Sequence, residues 1–162
     1  MRILEESTQW ANRAELYIGL LKEAIRKDMR SKNSPLVFWD YCAERRVIIH
    51  NLIPRNLFQL QGATPTEATF GTQGDISKVS QFGWYDWCYF TEKAGIQFPY
   101  LREQLGRVLG PSRNEGNEMA QAILNSNGKV ITRRTLRRLR VEELHSPSEK
   151  EKRRMLTNQS SC

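Results

Sequence analysis

The sequence predicts an α+β chain, with helices in its first part and a small β-barrel in its second. Apolar residues recur at three- and four-residue spacing over residues 9–29, as on one face of a helix. Four or five short strand-like segments lie between residues 79 and 140, and the dipeptide Asn127-Gly128 between two of them is a strong hairpin pattern. At 162 residues, the chain suits one ordinary domain or two small ones.

The helix predicted over residues 9–29 has two distinct faces. One side presents Glu15 and, further along, Lys22 and Arg26. That side is either solvated surface or one corner of a metal site beside a phosphate-binding stripe. The other side is apolar and predicts a core stripe made of Trp10, Ala14, Tyr17, Leu21 and Ala24.

The next two helices are predicted from their start signals. Ser34 as N-cap and Pro35 at the first helical position open a helix that is apolar on several sides. Such a helix is typical of a larger body, and we expect its covering sheet to be missing or supplied elsewhere. Thr64-Pro65 opens a short helix that ends at Gly71. A linker follows.

The barrel is predicted from residue 79 onward, and the chain is expected to end in a charged helix. The predicted strands lie in VSQFGWYDWCYFTE, QLGRVLGPS, MAQAILNSNGKVITRR and TLRRLR. Ser146 and Glu149 form a capping-box pattern ahead of the charged segment. The predicted divisions are therefore 1–74 for the helices, 79–143 for the barrel and 144–162 for the tail.

Positive charge is concentrated in one part of the chain. The net charge is +7, and residues 101–140 contain nine Lys/Arg against three Asp/Glu. Such clustering favours a polyanion, most commonly nucleic acid, over a merely basic surface. We expect the phosphate contacts to come from the arginines on the last strands, with a solvated basic edge as the alternative. These are Arg133, Arg134, Arg137, Arg138 and Arg140.

Other functional groups are sparse. Cys42, Cys88 and Cys162 form no CxxC pair and are expected to be reduced thiols, and only two histidines occur. We find no nucleophile-and-base motif and no phosphate-binding glycine loop. The aromatic residues of GWYDWCYF either stack on bases or fill the core, and we favour the core. The lack of a signal peptide and of roughly 18 consecutive apolar residues predicts an intracellular protein, nuclear or cytoplasmic.

Several segments in order resemble the integrase region of copia-type LTR retrotransposon polyproteins. STQWANRAELYIGLLKEAIRK, SPLVFWDYCAERRVIIHNL and GATPTEATFG resemble the last third of the integrase catalytic core. FGWYDWCYF, QLGRVLGP, GNEMAQAILNSNGKVITRRTLRRL and VEELHSP resemble the segment that follows this core. The resemblance spans roughly residues 5–150 and depends on the order and spacing of modest motifs.

This resemblance implies an RNase H-like core, followed by an SH3-like DNA-binding barrel. The family uses two Asp and one Glu to hold two Mg²⁺ or Mn²⁺ ions, and it cuts and joins DNA. In this sequence, Glu15 matches the final catalytic and metal-binding Glu. Lys22 matches a basic position that touches DNA, and Arg26 lies one turn beyond it.

The sequence departs from the family where its two catalytic Asp are placed. Only 14 residues precede Glu15 and none is Asp. We therefore expect a truncated integrase that binds DNA, forms no stable metal site and performs no strand transfer alone. The alternatives are a protein-interaction or self-associating module, such as a homo-oligomer, and a nuclease whose Asp residues come from a second chain. No membrane or small-molecule partner is expected.

Overall fold

A computed structural model describes residues 7–54, 60–92, 103–113 and 119–159. It combines helices with one five-stranded antiparallel sheet, which agrees with the α+β class. The helices are α1 (Ser7–Lys32), α2 (Trp39–Leu52), α3 (Pro65–Phe70), α4 (Ser77–Ser80), α5 (Val141–His145) and α6 (Pro147–Gln159), and a 3₁₀ turn spans Leu36–Phe38. In the described ranges, no helix has the length and apolar content needed to cross a membrane.

The predicted start of the second helix at Ser34-Pro35 is wrong. Pro35 instead precedes the 3₁₀ turn, and α2 begins only at Trp39. Ser34 has another role, because its buried hydroxyl accepts a hydrogen bond from Trp84 Nε1 at 3.1 Å. The residue that resembles a cap therefore joins the helical region to the start of the sheet.

The short helix predicted after Thr64 is confirmed. The Thr64 hydroxyl accepts a hydrogen bond from the backbone N–H of Glu67 at 3.1 Å, as an N-cap does. Gly71 ends the helix in the left-handed conformation with φ of 69°. Both ends of α3 follow from local chemistry.

The sheet is a meander whose last strand pairs with its first. Its order is β4-β3-β2-β1-β5, and all neighbours are antiparallel. The Asn127-Gly128 hairpin is confirmed, with Gly128 at φ of 73°. The strands are β1 (Trp87–Thr91), β2 (Glu103–Pro111), β3 (Gln121–Leu124), β4 (Val130–Arg133) and β5 (Leu136–Arg138).

The first strand starts later than predicted. Val79 and Ser80 belong to α4, and a turn follows in which Tyr85 has a φ of 57°. The Asp86 carboxylate accepts a hydrogen bond from the backbone N–H of Gly83 at 2.8 Å and closes this turn. Local hydrogen bonding therefore overrides the strand preference of the aromatic residues before Trp87.

The two faces of the sheet have separate cores. One face packs Leu109, Ala122 and Leu124 with Trp84 and Tyr85 against α1 and α2. The opposite face buries a second cluster. The N-terminal helices therefore share a core with the sheet. The second cluster contains Phe82, Cys88, Phe90, Val108 and Ile123, with Ile131 and Leu136 packed against it.

The core side of α1 differs from the predicted stripe. Ile25 and Met29 are buried, whereas Ala14 and Tyr17 are exposed, and the side chain of Trp10 lies outside the described residues. The buried residues of the helix therefore lie in its C-terminal half, and the exposed Tyr17 ring meets the His50 ring of α2 edge to face. Likewise, α2 buries Cys42 against the sheet side of the core but leaves Trp39 exposed, so it packs on β2 rather than lacking a sheet.

Candidate nucleic-acid interface

The predicted arginine series is divided between the two faces of the sheet. Arg137 pairs with Tyr89 across the β1–β5 ladder, and Arg138 pairs with Cys88. Neighbouring residues of a strand point to opposite faces. Arg137 therefore lies on the same face of the sheet as the core shared with α1 and α2. Arg138 lies on the opposite face, and so does Arg133, which pairs with Gln121. The series does not form one stripe.

Arg137 is an ion-paired structural residue. Its Nη2 donates to Glu103 Oε2 and its Nη1 donates to Glu143 Oε2, each at 2.8 Å. These hydrogen bonds raise the pKa of Arg137 and lower that of Glu143 to about 2. Two carboxylates neutralise this guanidinium, so it adds no net positive charge for a phosphate.

Arg138 and Arg133 also have protein partners. Arg138 Nη2 donates to the carbonyl oxygens of Ser80 and Gln81 and thereby ties α4 to β5. Arg133 Nη1 donates to the carbonyl of Thr132 at 2.8 Å. Carbonyls do not neutralise a guanidinium, so both side chains are held by the backbone and keep their positive charge.

Arg134 and Arg140 fit the prediction better. Both are exposed, and in the described parts of the chain neither side chain forms an ion pair, although the charge of Arg140 helps to lower the pKa of Glu103 and Glu143. Arg134 lies in the turn between β4 and β5, and Arg140 lies between β5 and α5. Both remain predicted phosphate contacts.

The ion pairs of Arg137 predict acid-sensitive stability. The lowered pKa of Glu143 means that its contribution is complete above its ordinary pKa of 4.5 and is lost as the pH falls towards 2. Arg137→Ala should therefore lower the free energy of unfolding by about 1 kcal/mol at neutral pH. The deficit should shrink between pH 4.5 and 2. Urea unfolding across this range measures it.

The control for this experiment is Arg134→Ala, which removes an exposed arginine of the same segment. It should change the unfolding free energy by less than about 0.5 kcal/mol at every pH. A deficit in Arg137→Ala that is equally large at both ends of the pH range would show that Glu143 does not provide it.

Arg107 on β2 was not among the predicted phosphate contacts. Its guanidinium carbon lies 3.4 Å from the centroid of the Trp87 ring and 4.6 Å from that of Tyr85. Its Nη1 donates to the carbonyl of Tyr85 at 2.9 Å. Among the described residues, no carboxylate forms an ion pair with it. The sequence pattern that could have identified Arg107 is a single arginine within the mostly apolar segment QLGRVLGP.

Burial and a second cation perturb Arg107. Desolvation is the main cause that lowers its pKa to about 10; the charges of Tyr85 and Asp86 oppose this shift, and the charge of Arg153 on α6 adds a smaller lowering effect. Arg153 donates to the carbonyls of Glu149 and Leu144, at 3.3 Å and 2.7 Å. Both guanidiniums have carbonyl rather than carboxylate hydrogen-bond partners. Such a pair favours an anion beside it.

These cations belong to one end of the sheet. Trp87 pairs with Arg107, Arg107 with Leu124, and Leu124 with Val130, which Lys129 precedes. On the other side of β1, Arg140 follows β5. With neighbouring strands about 4.8 Å apart, these residues span the end of the sheet over roughly 19 Å. Val130 shares the face of Arg107, so the neighbouring Lys129 side chain points to the opposite face, and the row follows the end of the sheet rather than one face. We call Arg107, Lys129, Arg140 and the adjacent Arg153 the basic row.

The aromatic residues before and within β1 are mainly core. Trp84, Tyr85, Tyr89 and Phe90 are buried, whereas Trp87 is partly exposed. Burial excludes the four as a platform for stacked bases. Trp87 instead supports the guanidinium of Arg107.

Within the residues that the structure describes, the predicted metal corner on α1 has no further metal ligands beside it. Glu15, Lys22 and Arg26 are exposed, and Arg26 forms an ion pair with Glu23 at 3.6 Å. Across the described ranges, no group of three or more His, Cys, Asp or Glu could hold a metal ion. Two-metal chemistry needs several converging carboxylates, so the donor set does not fit it.

Comparison with protein-family models, with curated proteins and with solved structures finds no match to this chain. The geometry and charge of its own side chains are therefore what supports a function.

The thiols offer no alternative site. Cys42 and Cys88 are free and buried, which agrees with the expectation of reduced thiols, and Cys162 lies outside the described residues. Burial is the main cause that raises their pKa, to about 11 and about 12. Both stay protonated at neutral pH and are poor nucleophiles.

Proposed function

We propose that this chain binds duplex DNA without sequence preference, through the basic row at the end of its sheet. The observation that supports this most is Arg107, a half-buried guanidinium stacked on Trp87, on which the positive charge of Arg153 also acts. Stacking holds the guanidinium plane in place, so its remaining N–H groups can meet a phosphate at little entropic expense. Phosphate contacts fix a protein on DNA but do not read its sequence.

The proposed parent is the integrase region of a copia-type retrotransposon. The order of elements supports it: a long helix with Glu15, two further helices, and a five-stranded meander whose closing pair suits an SH3-like barrel. On this proposal the chain keeps the DNA-binding function associated with integration. Strand transfer would need carboxylates additional to Glu15.

A binding experiment with the full chain tests the DNA proposal. Affinity for a short mixed-sequence duplex is measured by fluorescence anisotropy at several salt concentrations. Arg107→Ala should weaken binding about tenfold and reduce the slope of log K against log salt by about one. Arg107→Lys keeps the charge but loses the planar stack. Its DNA affinity should therefore lie between those of the parent and of Arg107→Ala.

Arg154→Ala is the matched control. It also removes one positive charge, but from an exposed α6 arginine that forms an ion pair with Glu151 at 3.7 Å. Its affinity should stay within about twofold of the parent. If folded Arg107→Ala binds as tightly as the parent, the basic row is not the interface.

A second candidate function is a protein-interaction or self-associating module. The observation that favours it is the exposed apolar surface of α1, where Leu16 and Leu20 are 60% and 58% exposed. This surface is separate from the basic row, so both functions can coexist.

A further inference from the structure

The first half of α1 is largely exposed to solvent. Every side chain from residue 12 to residue 20 is exposed, whereas Ile25 and Met29 near the other end are buried. Leu16 and Leu20 expose more than half of their surface in this stretch. Its Tyr17 ring meets the His50 ring of α2 edge to face, with the ring centroids 6.3 Å apart. Helical turns with little tertiary packing are only marginally stable in water. This half of α1 therefore favours a partner.

The exposed leucines belong to a defined face. Arg13, Leu16, Leu20 and Glu23 follow one another at spacings of three, four and three residues, so they lie within about 80° on the helix surface. This is the spacing of a helix-pairing seam. Both of its outer positions are exposed charges of opposite sign.

The seam is symmetric about residue 18. Leu16 and Leu20 lie two residues on either side of it, and Arg13 and Glu23 lie five residues on either side. When two such helices run antiparallel, each Leu16 meets a Leu20, and each Arg13 meets a Glu23. Both contacts then occur twice about a two-fold axis. A parallel pair would instead place like charges opposite each other.

A groove beside the seam can accept the second helix. It has a volume of about 450 Å³ and lies between α1 and α2, with Tyr17, Leu20, Val47 and Ile53 among its lining residues. Because Leu20 belongs to both the seam and the groove, Leu16 of a second copy would pack at the rim of the groove. The pair of Glu23 with Arg26 is long and highly exposed, so it opposes rearrangement only weakly.

We infer that α1 pairs antiparallel with α1 of a second copy of this chain, centred on residue 18, and forms a two-fold symmetric dimer. The charge pattern selects a second copy over an unrelated apolar helix, since Arg13 and Glu23 complement each other only in this arrangement. The inference is independent of DNA binding.

The test is sedimentation velocity on the full chain without DNA at micromolar concentration. The parent should sediment as a dimer and Leu16→Glu as a folded monomer, with helix content checked by circular dichroism. Val37→Glu alters an apolar side chain that is 73% exposed outside the seam, so it should remain a dimer. A monomeric parent, or a dimer that survives Leu16→Glu, overturns the inference.

Charge reversal tests the antiparallel register. Arg13→Glu alone should weaken dimerisation at least tenfold, because it places two carboxylates opposite each other twice. Combining it with Glu23→Arg recreates the opposite-charge pairs and should restore the parent dissociation constant. If the double variant dissociates as readily as the single one, this register is refuted.

Discussion

Replacing Phe90 by alanine is expected to lower the free energy of unfolding by about 3–5 kcal/mol. Phe90 is 1% exposed and packs among Cys88, Val108 and Ile123 on the face of the sheet opposite α1 and α2. The loss combines buried apolar area with the cavity left behind. A domain is stable by only about 5–15 kcal/mol, so the variant should be substantially less stable and partly unfolded if the parent lies at the low end.

Phe70→Ala provides the control for this experiment because the same atoms are removed from a side chain that is 74% exposed. Its unfolding free energy should change by less than about 0.5 kcal/mol. Urea titrations followed by circular dichroism give both values. Equal effects of the two substitutions would show that the second core does not form as described.

The other large effect is expected for DNA affinity. A variant with Arg107, Lys129, Arg140 and Arg153 replaced by alanine should bind duplex DNA at least about 100-fold more weakly. Four lost phosphate contacts should lower the slope of log K against log salt by roughly 3 to 4. Anisotropy titrations between about 50 and 200 mM salt measure both quantities.

A companion variant compares the basic row with the arginine series expected from the sequence. It replaces Arg133, Arg134, Arg137 and Arg138, which also removes four positive charges. Since Arg137 is neutralised by Glu103 and Glu143, we expect a smaller loss of affinity and a larger loss of stability. If this variant loses more affinity than the first while remaining folded, the strand arginines are the interface and the basic row is not.

Features that depend on neighbouring residues were predictable from the sequence. The Asn127-Gly128 hairpin and the ends of α3 at Thr64 and Gly71 each need only a local hydrogen bond or a left-handed glycine. The long first helix was predictable for the same reason, since its periodicity extends over many residues.

Features that depend on distant residues were not predictable in the same way. Periodicity alone does not say which half of α1 meets the sheet, because that depends on where Leu109 and Leu124 lie. The basic residues around Arg137 indicate a free cation. The pairing of β1 with β5 and the position of α5 bring the carboxylates of Glu103 and Glu143 to it. The Arg107 stack likewise requires the register of β1 and β2.

The core shared by α1, α2 and the sheet has an evolutionary consequence. One buried cluster joins the helices to the sheet: Ile25, Met29 and Cys42 pack with Trp84, Leu109 and Leu124. Each half of the chain therefore covers apolar surface of the other. If either half were deleted from the gene, the remaining half would expose its apolar core residues and tend to aggregate. Packing against one half therefore limits which substitutions the other half tolerates. We expect the two halves to be retained together in related sequences.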